Sequence, residues 1–532
     1  MSRSYLSRAA TAVATPPQSE PLNSRQVKNN AGGFVFQVDD WKRLDRFLIL
    51  GSEGGTYYVS EKKLTVDNVK AVARCVELDG LRTVNQIVAV SDAGRAPKND
   101  PALLALAYAA SKGDAKTRAA AFNALPKVAR IGTHLFHFVE YVRKFRGWGR
   151  GLRQAITNWY YFKTPDQFAE QVTKYAQRDG WSHRDLMRLA HPKFTAPAMQ
   201  NVASYVVKGL DGEVDTGVSI PDVLKGALIM PKLTSPKMVA KTITKFGLVR
   251  EHIPTQFLTE PEVWEALLEK MPVTAMIRNL GNMSKVGLLK PLSTASKLVA
   301  GRLTDQALLR KGRVHPIQLL IAQKTYGSGH GLLGRGEWTA VPQVIDALDD
   351  AFYMAFQTIE PTGKNFYIGV DVSRSMGCGA IAGTSLTPRE AAAALALVTA
   401  KTESNYYIAG FTHALVDLGI TPKMRLDDVV RTTSSLSFGA TDCALPMLDA
   451  AKQKMNVDTF MILTDNETWF GDVHPMQALQ VYRNKFNPKA KLVVVGMTAT
   501  EFSIADPTDA GMLDVVGFDA AAPAVIADFS RN

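Results

Sequence analysis

Phe366-Tyr367-Ile368-Gly369-Val370-Asp371-Val372-Ser373-Arg374-Ser375-Met376 is the stretch whose reading decides the fold. An apolar run of strand formers ends at Asp371, and hydroxyls follow at Ser373 and Ser375. A carboxylate and two hydroxyls at alternate positions can turn toward one point above the carboxyl end of a strand. All three offer oxygen, the donor that a hard cation such as Mg²⁺ or Mn²⁺ prefers. The space above the carboxyl ends of strands is also where α/β sheets bind ligands. Taken alone, Asp-x-Ser-x-Ser also fits a surface turn.

The chain around this stretch supports the α/β reading. Thr387-Pro388-Arg389-Glu390 is a capping box with Pro at the first helical position, and it opens an Ala/Leu-rich helix over 388–402. Tyr406 to Phe411 reads as the next strand. Gly439-Ala440-Thr441-Asp442 is a Gly-bearing loop with another hydroxyl, and Thr459 to Leu463 is a third strand leading into Thr464-Asp465-Asn466-Glu467. Asp371, Ser373, Ser375, Thr441 and Asp465 together resemble the metal-ion-dependent adhesion site of von Willebrand factor A domains. Cys378 and Cys443 lie near these loops, but thiolates are poor Mg²⁺ ligands and are read as packing residues.

A chain of 532 residues exceeds a single core, so at least two domains are expected. With 46% hydrophobic and 21% charged residues the composition is that of an ordinary globular protein. No apolar run reaches the ~18–20 residues of a membrane span. Three distant cysteines, Cys75, Cys378 and Cys443, argue against a disulfide framework and point to a reducing, cytoplasmic setting. The first 25 residues, rich in Ser, Ala, Pro and Arg, are expected to form a mobile tail.

Residues 1–360 carry 48 Lys and Arg against 32 Asp and Glu, whereas residues 361–532 carry 14 against 18. The basic excess of the first region suggests a polyanionic partner for that region. Between residues 60 and 325 one amphipathic helical segment follows another with short breaks, among them 65–78, 81–90, 130–145, 150–161, 166–178 and 182–190. This is the texture of an irregular α-solenoid, with room for about seven HEAT-like units; a plain helical bundle is the alternative. Pro361-Thr362-Gly363 marks the expected boundary with the α/β domain, after a glycine-rich stretch at 327–336 expected to be flexible.

Lys127, Arg130, Arg143, Lys144, Arg146, Arg150 and Arg153 interleave with Phe136, Phe138, Tyr141 and Trp148, and Trp159 and Tyr160 follow. Lys174 and Arg178 stand four apart, as on one helical face, with His183, Arg184, Arg188 and His191 behind them. Such a face can contact phosphates while aromatic rings stack on unpaired bases; a solvated helix face over core aromatics reads equally well. No Ser-His-Asp or Cys-His arrangement and no nucleophile elbow accompanies it.

Four groups of strings resemble the Ro autoantigen family, the TROVE-domain RNA-binding proteins, in its bacterial form. They are Gln26 to Gly33 with Gly51 to Tyr58; Lys174-Tyr175 through Gly180-Trp181-Ser182-His183 to His191; Trp264 to Leu268 with Arg278-Asn279-Leu280-Gly281; and Glu360 to Ser373 with Gly439 to Met447 and Thr464 to Glu467. The resemblance implies a HEAT-like α-helical repeat ring (TROVE) over 26–360, closed by a von Willebrand factor A-like doubly wound α/β domain over 361–532. It implies binding of small noncoding Y RNA on the outer surface of the ring and of single-stranded 3′ ends of misfolded RNAs in its central hole. RNA quality control, processing or stress response, without catalysis, would be the role. An exoribonuclease such as polynucleotide phosphorylase is an implied partner, and a monomer is expected. Lys174, Arg178 and His191 match the family's Y RNA contacts; Arg150, Arg153, His183, Arg184 and Arg188 are added from charge and proximity in sequence. Gly439-Ala440-Thr441 departs from the two glycines expected before the threonine. Two other readings remain open here: a metal-dependent hydrolase using Asp371, Asp465 and Glu467, and a protein-adhesion module with an incidental basic domain.

Overall fold

The computed structural model describes residues 16–53, 55–209, 220–331, 336–356, 360–381, 384–434 and 439–532. Of the glycine-rich stretch, residues 332–335 lie outside the described set; His330 and Glu337 on either side form a β-bridge.

The α/β half is built on six strands: β5 (Phe366–Asp371), β6 (Tyr406–Phe411), β7 (Leu415–Val416), β8 (Thr459–Thr464), β9 (Lys491–Gly496) and β11 (Met512–Val516), in the order β11-β9-β8-β5-β6-β7. All pairs are parallel except the edge strand β7. Parallel sheets are covered on both faces, so their strands read as continuous apolar runs; β5 and β8 are buried at every position. The capping box at Thr387 and Glu390 forms as the spacing predicts and starts helix Pro388–Thr402.

Helices fill the first part of the chain. The expected pair at 65–78 and 81–90 is one element, Glu61–Asp92, with non-helical backbone at Asp79. A Cβ at the next residue, Gly80, would fall 2.0 Å from Thr117 Oγ1, so helix Ala115–Val128 can approach the bend only because that side chain is missing. The helical run returns on itself. Arg313 pairs with Asp92 at 2.6 Å, the His315 ring meets the Arg95 carbonyl at 2.9 Å, and Gln318 Nε2 donates to the Pro97 carbonyl at 3.0 Å. The α/β domain is fastened to both ends of the run, by Arg46–Asp514 at 2.6 Å and Arg95–Asp519 on one side and by Lys324–Glu390 at 2.8 Å on the other. One apolar core runs without a break from Leu44 and Phe352 to Leu395 and Phe518.

The segment before the helices reaches across to the α/β domain. β1 (Gln26–Lys28) pairs with β2 (Phe34–Gln37), and β2 pairs with β10 (Phe502–Ser503), so this segment docks on the α/β domain by a small antiparallel sheet. The expected tail also ends earlier than residue 25. Residues 1–15 lie outside the described set, but Gln18 is fully buried and donates to Asp442 Oδ1 at 2.7 Å. Arg25 grips Asp506 with two hydrogen bonds of 2.7 and 2.9 Å. Low apolar content does not free this segment, because its polar groups are satisfied one by one by the domain beneath. Two short strands, β3 (Gln177–Arg178) and β4 (Trp181–Ser182), form a hairpin within the helical region.

Candidate RNA face and cation-site loops

Asp371 closes β5 and Asp465 directly follows β8, the neighbouring strand, so parallel pairing brings both to one edge of the sheet. Asp371, Ser373, Ser375, Thr441 and Asp465 are all at least 96% buried. Asp371 accepts from the Ser373 N–H at 2.9 Å and from Thr464 Oγ1 at 2.7 Å; the Ser373 and Ser375 hydroxyls lie 3.1 Å apart, and Ser375 hydrogen-bonds Asp465. Thr441 joins through its loop, its carbonyl accepting from the Trp469 and Phe470 N–H groups at 3.2 and 3.1 Å. A Cβ at Gly439 would fall 2.1 Å from His413 Nδ1, so a larger residue there would displace that exposed ring, and Ala440 beside it is half-buried.

Burial raises the pKa of Asp371, against the hydrogen bonds it accepts from Ser373 and Thr464. Burial, then the charges of Asp371 and Glu467, pushes Asp465 well above the usual carboxylate range. Burial moves Glu467 to about 7 despite donors from Asn30 and Ala31. Among the described residues no three His, Cys, Asp or Glu side chains form a metal-ligating group. The donors here are mainly hydroxyls with two buried carboxylates, and that chemistry fits one hard divalent cation. Cys443 is buried 3.6 Å from Thr464 Oγ1, with burial holding it as a thiol.

The basic residues fall into two groups. Arg130 is tied to Ser91 at 2.9 Å, and Arg143 grips Glu140 with bonds of 2.8 and 2.9 Å, so these serve the fold. Arg150 and Arg153 are exposed on helix Arg150–Tyr161, and Arg184 and Arg188 on helix His183–Ala190, with no acidic partner within 4 Å among the described residues. The two helices pack against each other. The second is launched by a reciprocal capping box between Ser182 and Asp185. His191 caps it in the left-handed region (φ 52°) and is exposed.

Two expectations do not survive. Lys174 and Arg178 do not share a helical face: helix Pro165–Lys174 ends before Tyr175, and Arg178 stands on β3. Lys174 is half-buried near Glu170 at 3.8 Å, and Arg178 is exposed. His183 does not face solvent. It is buried, its Nδ1 lies 2.8 Å from the Tyr160 hydroxyl, and burial holds its pKa down at about 3. Its sequence setting, between Ser182 and Arg184, carries no sign of this. The interleaved aromatics are likewise mostly core: Phe136, Phe138, Trp159 and Tyr160 are fully buried, and Trp148 stacks on Trp181 with centroids 6.1 Å apart. The rings that do face solvent, Tyr161 and Phe162, escaped the sequence reading because they follow the same aromatic run.

The Ro60 vWA domain family matches residues 365–530, and the TROVE domain family matches residues 27–214 and 245–328. The chain is 44% identical over 519 residues to "RNA-binding protein RO60" of Deinococcus radiodurans, covering 97% of each. It is 36% identical over 590 residues to "RNA-binding protein RO60" of Caenorhabditis elegans, covering 97% of this chain and 91% of the relative. The crystal structure of the Deinococcus radiodurans RO (RSR) protein superposes with a TM-score of 0.70 at 43% identity, over 93% of this chain and 99% of that one. A closed helical run joined to an A-type α/β domain, with both family matches on the same two regions, makes this chain a member of the Ro60 family of TROVE-domain proteins.

Proposed function

We propose that the protein is a noncoding-RNA-binding protein that holds a structured small RNA, of the Y RNA type, on the outer face formed by the helices at 150–161 and 183–190 and the hairpin β3–β4. The observation that carries this is the unpaired charge of Arg150, Arg153, Arg184 and Arg188, exposed on two packed helices, while Arg130 and Arg143 nearby are taken up by Ser91 and Glu140. Lys174, Arg178 and His191 border that face and supply further phosphate contacts. His183 supports the face from beneath through Tyr160. In this reading the closed helical run also accepts single-stranded 3′ ends of misfolded RNAs. The protein then works without catalysis in RNA quality control, processing or stress response, as a cytoplasmic monomer, with an exoribonuclease such as polynucleotide phosphorylase as partner. The relatives named RNA-binding proteins support the coarse reading.

Asp371, Ser373, Ser375, Thr441 and Asp465 would hold one Mg²⁺ or Mn²⁺, which supplies an open coordination position for a carboxylate of a protein partner. A hydrolase would need a further carboxylate free to ligate, and Glu467 is already held by Asn30 and Ala31 at 2.8 and 2.9 Å.

The test is RNA affinity by filter binding with a stem-loop RNA recovered from the native protein. Lys174→Ala with Arg178→Ala is expected to weaken binding and leave the melting temperature unchanged. Equal affinity in the double variant would move the RNA site elsewhere. For the cation, Mn²⁺ is expected to raise the melting temperature, and Asp371→Ala to abolish that rise.

A further inference from the structure

Helix Arg150–Tyr161 ends on two aromatic rings that are out of place for a folded core. Phe162, its C-terminal cap, is 71% exposed, the most exposed aromatic among the described residues, and Tyr161 beside it follows at 47%. Single exposed apolar residues are common on protein surfaces; two adjacent exposed rings are less so. Tyr161 is clamped. Its hydroxyl donates to the Lys193 carbonyl at 2.7 Å and accepts the Lys193 N–H at 3.2 Å, and its ring meets Phe194 edge-on with centroids 5.6 Å apart. Phe194 in turn packs on the buried Phe168 at 5.4 Å. Tyr161 is therefore ordered before any ligand arrives, so little of its entropy is lost when something stacks on it.

The surroundings are basic. The clamp binds Tyr161 to the strand of chain that carries His191 and Lys193, both exposed, and Arg188 stands one turn back on the preceding helix. Of the nearby acids, Asp185 is occupied in its capping box and Glu170 faces Lys174; Asp166, exposed in the first turn of helix Pro165–Lys174, is the one left over. Flat π-faces rimmed by cations match unpaired nucleobases on a phosphate backbone, and base–aromatic stacking needs no particular base.

We propose that Tyr161 and Phe162 form a stacking platform for unpaired bases of the bound RNA, beside the phosphate-binding arginines. This rests on the RNA-binding reading above and adds the single-stranded part of the ligand to it. Phe162 supplies the more exposed face, and Tyr161 beside it a second face fixed by the Lys193 clamp.

The test uses the full-length protein and a stem-loop RNA carrying 4-thiouridine in its single-stranded loop. Irradiation is expected to cross-link the loop to a peptide containing Phe162. Phe162→Ala is expected to lower affinity on the order of 5- to 150-fold, the worth of one stacked base. The slope of affinity against salt should stay as it was, because no phosphate contact is lost. Phe162→Trp should restore binding, which loss of a merely structural residue would not predict. Unchanged affinity in Phe162→Ala, with wild-type binding intact, overturns the platform. Wild-type protein that fails to bind the stem-loop at low salt overturns the RNA reading itself, a distinct result.

Discussion

The side-chain amide of Asn30 donates to Glu467 Oε1 at 2.8 Å, across 437 residues of chain, while the next N–H, of Ala31, donates to Oε2 at 2.9 Å. The two donors hold a buried carboxylate two residues past Asp465, and the Glu467 N–H returns to Asp465 Oδ1 at 3.1 Å. Gly33 allows this docking, since a Cβ there would fall 1.9 Å from the Thr468 carbonyl. Asn30 is exposed and Glu467 is held near 7, so Asn30→Ala is expected to cost about 0.5–1.5 kcal/mol, the range for a typical lost hydrogen bond. In the cation reading it also loosens the Asp465 loop and weakens Mn²⁺ binding. Denaturant unfolding and calorimetric titration would measure the two effects; wild-type values in both would show that the N-terminal segment merely rests on this loop.

What was legible followed from local patterns. Asp371, Ser373, Ser375 and Asp465 could be placed at strand ends because apolar runs fix their strands within a few residues, whereas Thr441 lies on a loop between helices Leu426–Ser434 and Leu445–Lys452 and not at a strand end. The break at Asp79 was legible from Gly80. What was not legible depends on contacts far apart in sequence. Gln18 sits in a stretch with a tail's composition, and only its partners at Asp442 and Thr468 show it to be fixed. Lys174 and Arg178 have helical spacing, but the helix is capped at Tyr175 and a hairpin takes over. His183 reads as a surface residue, yet Tyr160 and Trp159 enclose it.

Arg46 joins the two halves of the molecule. It is fully buried, donates to the Thr500 and Phe502 carbonyls at 2.7 and 2.9 Å, and pairs with Asp514 at 2.6 Å. Removing one partner of a buried ion pair leaves the other charge without compensation. Arg46→Leu is therefore expected to destabilise the protein by about 3–5 kcal/mol. Changing Asp514→Leu as well should recover part of that loss. A double-mutant cycle in guanidinium would measure the coupling, and purely additive losses would show that the pair contributes nothing beyond its separate members.

Acid should weaken the fold through its buried histidines. Burial lowers the pKa of His183 and His134 to about 3 and of His252 and His315 to about 4, from 6.5. Between these values and 6.5 the unfolded chain binds protons that the native chain refuses, so stability falls as pH drops below about 6.5 and is fully present above it. His183→Gln keeps a polar partner for Tyr160, able to donate or accept, and cannot take up a proton. Near pH 5 it should reduce the slope of unfolding free energy against pH by about 1.4 kcal/mol per unit. An unchanged slope would mean that His183 is protonated in the native protein.

The arginine face makes a quantitative claim about salt. Arg184 and Arg188 lie four apart on the exposed side of one helix, so a phosphate backbone laid along it can meet both. Each phosphate contact releases counterions, and each one lost lowers the slope of log affinity against log salt by about 1. Arg184→Gln with Arg188→Gln should therefore flatten that slope by about 2 and weaken binding to all RNA sequences alike. Phe162→Ala, by contrast, should weaken binding with the slope preserved. Measured side by side across a salt series, the two variants separate charge from stacking, and a double arginine variant with the wild-type slope would take this helix out of the RNA interface.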